Sequence, residues 1–305
     1  MPSFGLGVFP QSLAAAVSLA GVSVTYPFRE IKTMNRILVG LFLVLAAVHP
    51  ASGQLLGSGS SLTVPIALPG GITGDLTVSF EGVTGLSLPN LGVSAQLVSP
   101  TDAGLLARLP AEASITSGFP VLVRIEPAPG GGFAFTGVAR IQLHYLGIPG
   151  AAPPRLYAAP LGGPFADITT DVRRATDLKL DTSYRVLGTK GGFSEFLIVA
   201  DATPRDQAVA DKLDRLDQIL AENAGAIPGA MRSDLAADLA AARAHAVAGN
   251  AEAAIADLDL FLDEVEQHSG TDIPDVWRAA RDRVNVAGLL RAGAETLRFS
   301  LRQEP

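Results

Sequence analysis

The sequence predicts an α+β protein of two domains, an antiparallel β-sandwich over residues 54–200 followed by an antiparallel α-helical bundle over residues 201–305. Three observations carry that reading. Short apolar runs of period two, bounded by Gly and Pro turns, fill the first part. Apolar stripes spaced three and four residues apart fill the last hundred residues. Between them lies Gly191-Gly192-Phe193-Ser194-Glu195-Phe196-Leu197-Ile198-Val199-Ala200-Asp201. Its continuous run Phe196–Val199 behind a Gly-Gly turn suits a closing strand buried on both faces.

In the first part, Leu62, Val64 and Ile66 alternate with polar or small residues. Leu76, Val78 and Phe80 do so after Pro69-Gly70-Gly71, and Val93, Ala95 and Leu97 after Pro89-Asn90. Phe119–Glu126 is a further strand, with Pro120 marking its start or an edge. Phe133–Tyr145 is a long strand with a bend at Gly137. Arg155–Ala158, Phe165–Thr169 and Tyr184–Leu187 are shorter ones. One short helix is expected after the cap Ser99-Pro100-Thr101-Asp102, with Leu105, Leu106 and Leu109 facing the sheet. Many short strands without long helices between them imply antiparallel sheets rather than a parallel α/β arrangement.

In the second part, Thr203-Pro204 reads as a helix cap followed by Pro at the first helical position. Val209, Leu213, Leu216 and Leu220 form the first stripe. Met231, Leu235, Leu239 and Ala242 form the second, which ends at Gly249-Asn250. Ala254, Ile255, Leu258, Phe261, Leu262 and Val265 form the third, stopped by Ser269-Gly270. A fourth helix is expected from Asp272-Ile273-Pro274 through Trp277, Ala280, Val284, Ala287, Leu290, Ala294 and Leu297. Trp277 would then be buried against Phe261 and Val265 of the third helix.

Two resemblances follow from particular residues. Arg155-Leu156-Tyr157, Pro164–Thr169, Tyr184-Arg185-Val186 and Phe193–Phe196 resemble the closing strands of Ig-like sandwiches in bacterial secreted and surface proteins. That resemblance implies an Ig-like fold and no activity. Ala240–Ile273 resembles the helical FIMAH domain of secreted bacterial proteins, through the Ala-rich positions before Gly249-Asn250, then Ala253-Ala254-Ile255, Phe261, Val265-Glu266, Ser269-Gly270 and Ile273. It implies a helical domain, again without an activity.

Met34-Asn35-Arg36 followed by the apolar run Ile37–Val48 and the small residues Ala51 and Gly53 forms a secretory signal over residues 34–53. Cleavage is expected after Gly53. Residues 1–33 read as a non-structural extension, with Met34 the better start. Without residues 1–53, which carry Arg29, Lys32, Arg36 and Glu30, the balance is 20 basic to 29 acidic residues. The excess lies in the last hundred residues, with 11 basic against 19 acidic after residue 200. Such a chain is a poor partner for nucleic acid. The apolar run is short of the ~20 residues needed to span a bilayer, so no membrane span is expected in the mature chain. The sequence has no cysteine, which excludes disulfides, thiol nucleophiles and Cys-ligated zinc.

Candidate chemistry is sparse. Asp257, Asp259, Asp263, Glu264 and Glu266 crowd one helix, where a solvated acidic face is a better reading than a calcium loop. His144, His245 and His268 stand apart, without zinc-ligand spacing. Ser194 lies outside a nucleophile elbow. Gly57-Ser58-Gly59 and Gly130-Gly131-Gly132 lack the Lys-Ser/Thr pair of a phosphate loop. Carboxylate pairs such as Asp167 and Asp171 could in principle serve a glycosidase. A sugar platform in the β part would have to use Tyr145, Tyr157, Tyr184 or a Phe. No catalytic residue, metal ligand or cofactor is assigned. The expected function is an exported, non-enzymatic binding or structural module whose partner is a protein or polysaccharide. The alternatives are a carbohydrate-binding module and a glycosidase-like hydrolase.

Overall fold

The run Leu62, Val64, Ile66 forms β1 (Ser61–Leu68), and Leu76, Val78, Phe80 lie in β2 (Ile72–Thr84). They pair antiparallel across Pro69-Gly70-Gly71, where φ of +80° and +76° requires glycine. The computed structural model describes residues 59–147, 152–176 and 182–304. The expected extension over residues 1–33 and the signal over residues 34–53 lie outside them.

A short helix α1 (Leu88–Leu91), capped by Ser87, precedes β3 (Val93–Leu97). The expected short helix is α2 (Ala103–Leu106), with Asp102 Oδ1 accepting from Leu105 N at 2.9 Å. Leu105 is buried, whereas Leu106 faces solvent. There follow β4 (Ala113–Ile115), β5 (Val121–Ile125), β6 (Ala134–Leu146), β7 (Pro154–Ala159), β8 (Ala166–Asp167), β9 (Thr169–Thr176), β10 (Thr182–Lys190) and β11 (Glu195–Asp201). Gly137 bends β6 with φ +68°.

The strands form two antiparallel sheets, ordered β1-β2-β6-β10-β9 and β3-β5-β11-β7-β8, with β4 pairing the far end of β11. Side chains from both sheets share one core. Leu76, Val78, Ile141 and Val186 of the first meet Val123, Leu156, Phe196 and Ile198 of the second. Each such residue contributes about 1.5–3 kcal/mol through burial. On its other face the second sheet buries Leu122, Tyr157, Leu197 and Val199 with Leu105 of α2. The run Phe196–Val199 is thus buried on both sides.

The helices are α3 (Arg205–Glu222), α4 (Gly229–Val247), α5 (Ala251–His268) and α6 (Val286–Leu301). The expected stripes Val209/Leu213/Leu216/Leu220, Met231/Leu235/Leu239/Ala242 and Ala254/Leu258/Phe261/Val265 are buried in one cluster. Asn250 caps α5 through Ala253 N at 3.1 Å. Pro204, rather than Thr203, occupies the cap position of α3.

The fourth helix differs from expectation. Residues 274–285 are not helical, and Val276–Arg278 form β12, paired with Thr136, Phe135 and Ala134 of β6. Trp277 therefore lies on the first sheet's core, stacked on Phe135 with centroids 5.6 Å apart, and not between α5 and α6. The cause is tertiary. Pairing of β10 with β6 ends at Lys190–Ala139, which leaves the backbone of 134–136 open on that side. An unsatisfied strand edge beside a core is costly, and β12 fills it. Ala280 and Val284, expected on the stripe, are exposed.

The expected boundary at residue 201 is crossed at several points. Besides β12, Asn285 Nδ2 donates to Gly137 O at 2.7 Å, and Arg291 binds both carboxylate oxygens of Glu81 at 2.7 and 2.9 Å. Helix α6 lies against β6, β9 and β10, and the described residues fall within one compact unit.

Candidate functional site: two clefts beside the Lys190–Ser194 turn

The turn that joins β10 to β11 sits where both parts of the chain meet. A Cβ on Gly191 would fall 2.5 Å from Leu289 N and 2.7 Å from the Gly288 carbonyl carbon, both backbone atoms of α6. One on Gly192 would fall 3.1 Å from Trp277 Nε1. Glycine is required at Gly191 because a helix backbone presses directly on the turn. A cleft opens on either side of it.

The first cleft, about 300 Å³, is lined by Trp277, Phe193, Arg124, Arg281 and Arg283, with Leu161 and Val284 at its rim. Leu161 and Val284 are 62% and 55% exposed. Trp277 meets Phe193 edge-on at 5.3 Å and stacks on Phe135, so the aromatic cluster holds the indole while part of it borders the cleft. Arg281 has φ +54°, a left-handed conformation that costs an ordinary residue about 1 kcal/mol or more. Within 278–283 the ion pair among the described residues joins Arg278 to Asp282, leaving Arg281 and Arg283 exposed at the cleft.

The floor of this cleft contains Glu195, which is 1% exposed. Arg108 pairs with it, Arg124 Nε donates at 2.7 Å and Gly162 N at 3.2 Å. Burial works against its charge, but the bonds from Arg108, Arg124 and Gly162 outweigh burial and hold the carboxyl below its usual range. Glu195 is thus a neutralised structural anchor, and the remaining charged groups of the cleft are Arg281, Arg283 and the exposed Glu126, with the cations in excess.

The second cleft, about 230 Å³, lies between the sheets and helices α3 and α6. Its charged lining is Lys190, Asp167, Asp201, Asp211, Lys212 and Arg215. Lys212 Nζ donates to Asp167 Oδ2 at 2.6 Å, Ser300 Oγ at 2.9 Å and Thr296 O at 3.1 Å, so all three protons are used. Tyr157 O–H donates to Asp201 at 3.0 Å. Burial, with Asp167 and Asp201 nearby, pushes the Tyr157 hydroxyl well above its usual range. Burial, reinforced by Arg215, pulls the Lys190 ammonium down to about 8.

The sequence candidates fall elsewhere or into structural roles. Asp167 is engaged by Lys212 and Asp171 by Arg173 at 2.6 Å, so each carboxylate has its own cation. Tyr145, Tyr157 and Tyr184 are buried, Tyr145 stacking on Tyr184 at 5.4 Å, and so cannot form an exposed sugar platform. The histidines do not stand apart as expected. His144, His245 and His268 each bind a carboxylate, on Asp75, Asp257 and Asp272, at 2.7–2.8 Å. Of the acidic residues on α5, Asp257 holds His245 and Asp259 pairs with Arg298, while Asp263 and Glu266 are exposed. Among the described residues no three His, Asp or Glu side chains gather as metal ligands, and no helix is long and apolar enough to cross a membrane.

Sequence reasoning missed Lys190, Arg215 and Glu195. A signal for Lys190 was present, since counting by twos from Tyr184 through Val186 and Gly188 places it on the buried phase of its strand.

The model of a family of unknown function, DUF6689, matches residues 41–304. The chain belongs to this family. The DUF6689 match extends well to both sides of residue 201, taking in both sheets, the helices and both clefts. No curated protein matches the chain.

Proposed function

We propose that this protein is an exported, non-enzymatic binding module and that the Trp277 cleft contacts an anionic protein or polysaccharide ligand. The observation that carries the reading is the cleft's lining: an indole edge and two exposed guanidinium groups, Arg281 and Arg283, in a chain of net charge −7. Aromatic and guanidinium groups provide stacking area and bidentate recognition of carboxylates. The exposed apolar rim at Leu161 and Val284 fits contact with a partner surface.

The same proposal includes the finer fold and destination. Two antiparallel sheets around one core support an Ig-like sandwich, and the cluster shared by α3–α6 supports a FIMAH-like helical bundle. The pattern Met34–Gly53 supports export with cleavage after Gly53, tested by amino-terminal sequencing of the product secreted from a Gram-negative host.

Trp277 is the only tryptophan in the chain, so its emission reports directly on the cleft. Titration with oligogalacturonate and with a poly-Glu peptide should shift that emission, and neutral oligosaccharide should not. The shift should vanish in the Arg281→Gln, Arg283→Gln double variant. Emission unmoved by either acidic probe removes the proposal.

A further inference from the structure

We propose that the cleft at Lys190 is a second, separate binding site, for a small carboxylate carrying a short apolar body. The charged groups of this cleft differ in what holds them. Lys212 gives its three protons to Asp167, Thr296 and Ser300. Asp201 accepts from Tyr157 O–H and, at 2.9 Å, from Thr203 N. Asp211 accepts from Gln207 at 2.6 Å. Lys190 has no ion-pair or hydrogen-bond partner among the described residues, and Arg215 has only a 3.8 Å contact to the half-exposed Glu222. Lys190 and Arg215 therefore line one cleft whose carboxylates, Asp167, Asp201 and Asp211, are bonded to other groups.

Burial first, and then the like charge of Arg215, disfavours the Lys190 ammonium, which falls to about 8. An anion seated between Lys190 and Arg215 relieves both effects and restores the charged amine. The neighbouring wall is apolar, formed by Phe165, Ile219, Leu289 and Ala292. The volume of about 230 Å³ admits a compact body of a few carbons and excludes a polymer. Cation pair and apolar wall together select a carboxylate such as hexanoate or benzoate over a bare oxyanion.

The chain has four lysines, Lys32, Lys179, Lys190 and Lys212, so acylation can be assigned residue by residue. The full-length protein is treated with limiting acetic anhydride at pH 8 and mapped by mass spectrometry. Lys190 should be the fastest of the four. Millimolar hexanoate or benzoate should slow its acetylation at least tenfold, whereas hexanol and inorganic phosphate at the same concentration should not. Hexanoate should also raise Tm at pH 7 and much less at pH 10, where Lys190 is neutral; the other charged groups lining the cleft are Asp167, Asp201, Asp211, Lys212 and Arg215. The Tm rise should be lost in Arg215→Gln, a half-exposed position that leaves the fold intact, and in Lys190→Met. Absence of protection by both carboxylates overturns the proposal. So does equal protection by phosphate, or by hexanol, since each removes one half of the recognition. None of these readouts involves Trp277, so this site and the first cleft stand or fall separately.

Discussion

Helices α3 to α5 and the chain from Pro274 to Leu301 carry the same apolar periodicity, yet the fold uses them differently. The stripes of α3, α4 and α5 meet one another in one cluster, so period and partner agree. The last stretch divides. Its second half becomes α6, with Ala287, Leu290, Ala294 and Leu297 in the helical cluster. Its first half leaves that cluster and becomes a strand of the first sheet, with Trp277 against Phe133, Phe135 and Phe193. Periodicity identifies an apolar face; it does not say what covers it. Where an unpaired strand edge lies within reach, backbone hydrogen bonding and aromatic contact outweigh a helical preference worth only tenths of a kcal/mol per residue.

The difference makes the seam between helices and sheets the place to probe. Lys212→Met should have the largest effect, because it leaves the largely buried Asp167 carboxylate without its cation. Loss of one partner of such a pair costs about 3–5 kcal/mol. Urea denaturation followed at far-UV and near-UV wavelengths should show one lowered transition for helices and sheets together. Separate transitions would show that the seam does not join them.

Glu195→Gln probes the sheet side alone and should cost about 3 kcal/mol at pH 7, since Arg108 and Arg124 lose their shared anion. The folded-state carboxyl lies below its usual value, so its stabilisation is complete above the unfolded carboxyl's pKa and is lost as pH falls through the folded one. The gap between variant and native protein should therefore narrow below about pH 4.5. A gap that stays constant to pH 3 would deny Glu195 its charged role.

Trp277→Ala should cost about 2–3 kcal/mol, somewhat less than a fully buried tryptophan, because part of the ring borders a cleft. The loss should appear in the unit as a whole, monitored by circular dichroism. A helical signal that melts early while the sheets persist would return Trp277 to the helices.

The smallest expected effects come from a pair of glycines. A Cβ on Gly288 of α6 would lie 2.4 Å from Gly137 O and would displace Asn285 from it, so Gly288→Ala should cost about 1–3 kcal/mol. Gly229 at the start of α4 has open space around it, and Gly229→Ala should stabilise by up to about 1 kcal/mol. Equal responses at the two sites would erase the distinction between α6, which presses on a sheet, and α4, which does not.

Much of the candidate region was legible and its chemistry was not. Gly191-Gly192 and the run Phe196–Val199 announced a turn and a doubly buried strand, and both are present. The cleft residues came from distant parts of the chain, Arg124, Lys190, Arg215, Trp277 and Arg281 among them, with no spacing to connect them. One of the histidines shows the same limit. His144 and Asp75 lie 69 residues apart in sequence and meet only because β2 and β6 pair in register.

By itself the sequence determined the strands β1, β2 and β6, the helices α3 to α5 and the turns that separate them. These depend on interactions within a few residues, on apolar period, glycine φ and caps. Tertiary structure alone decided that residues 276–278 are a strand, that Glu195 is neutralised by Arg108 and Arg124, and that Lys190 shares a cleft with Arg215 and has no ion-pair partner among the described residues. Those outcomes depend on which backbone edges remain unpaired and which charges are brought out of water together, and neither quantity exists until the sheets and helices have met.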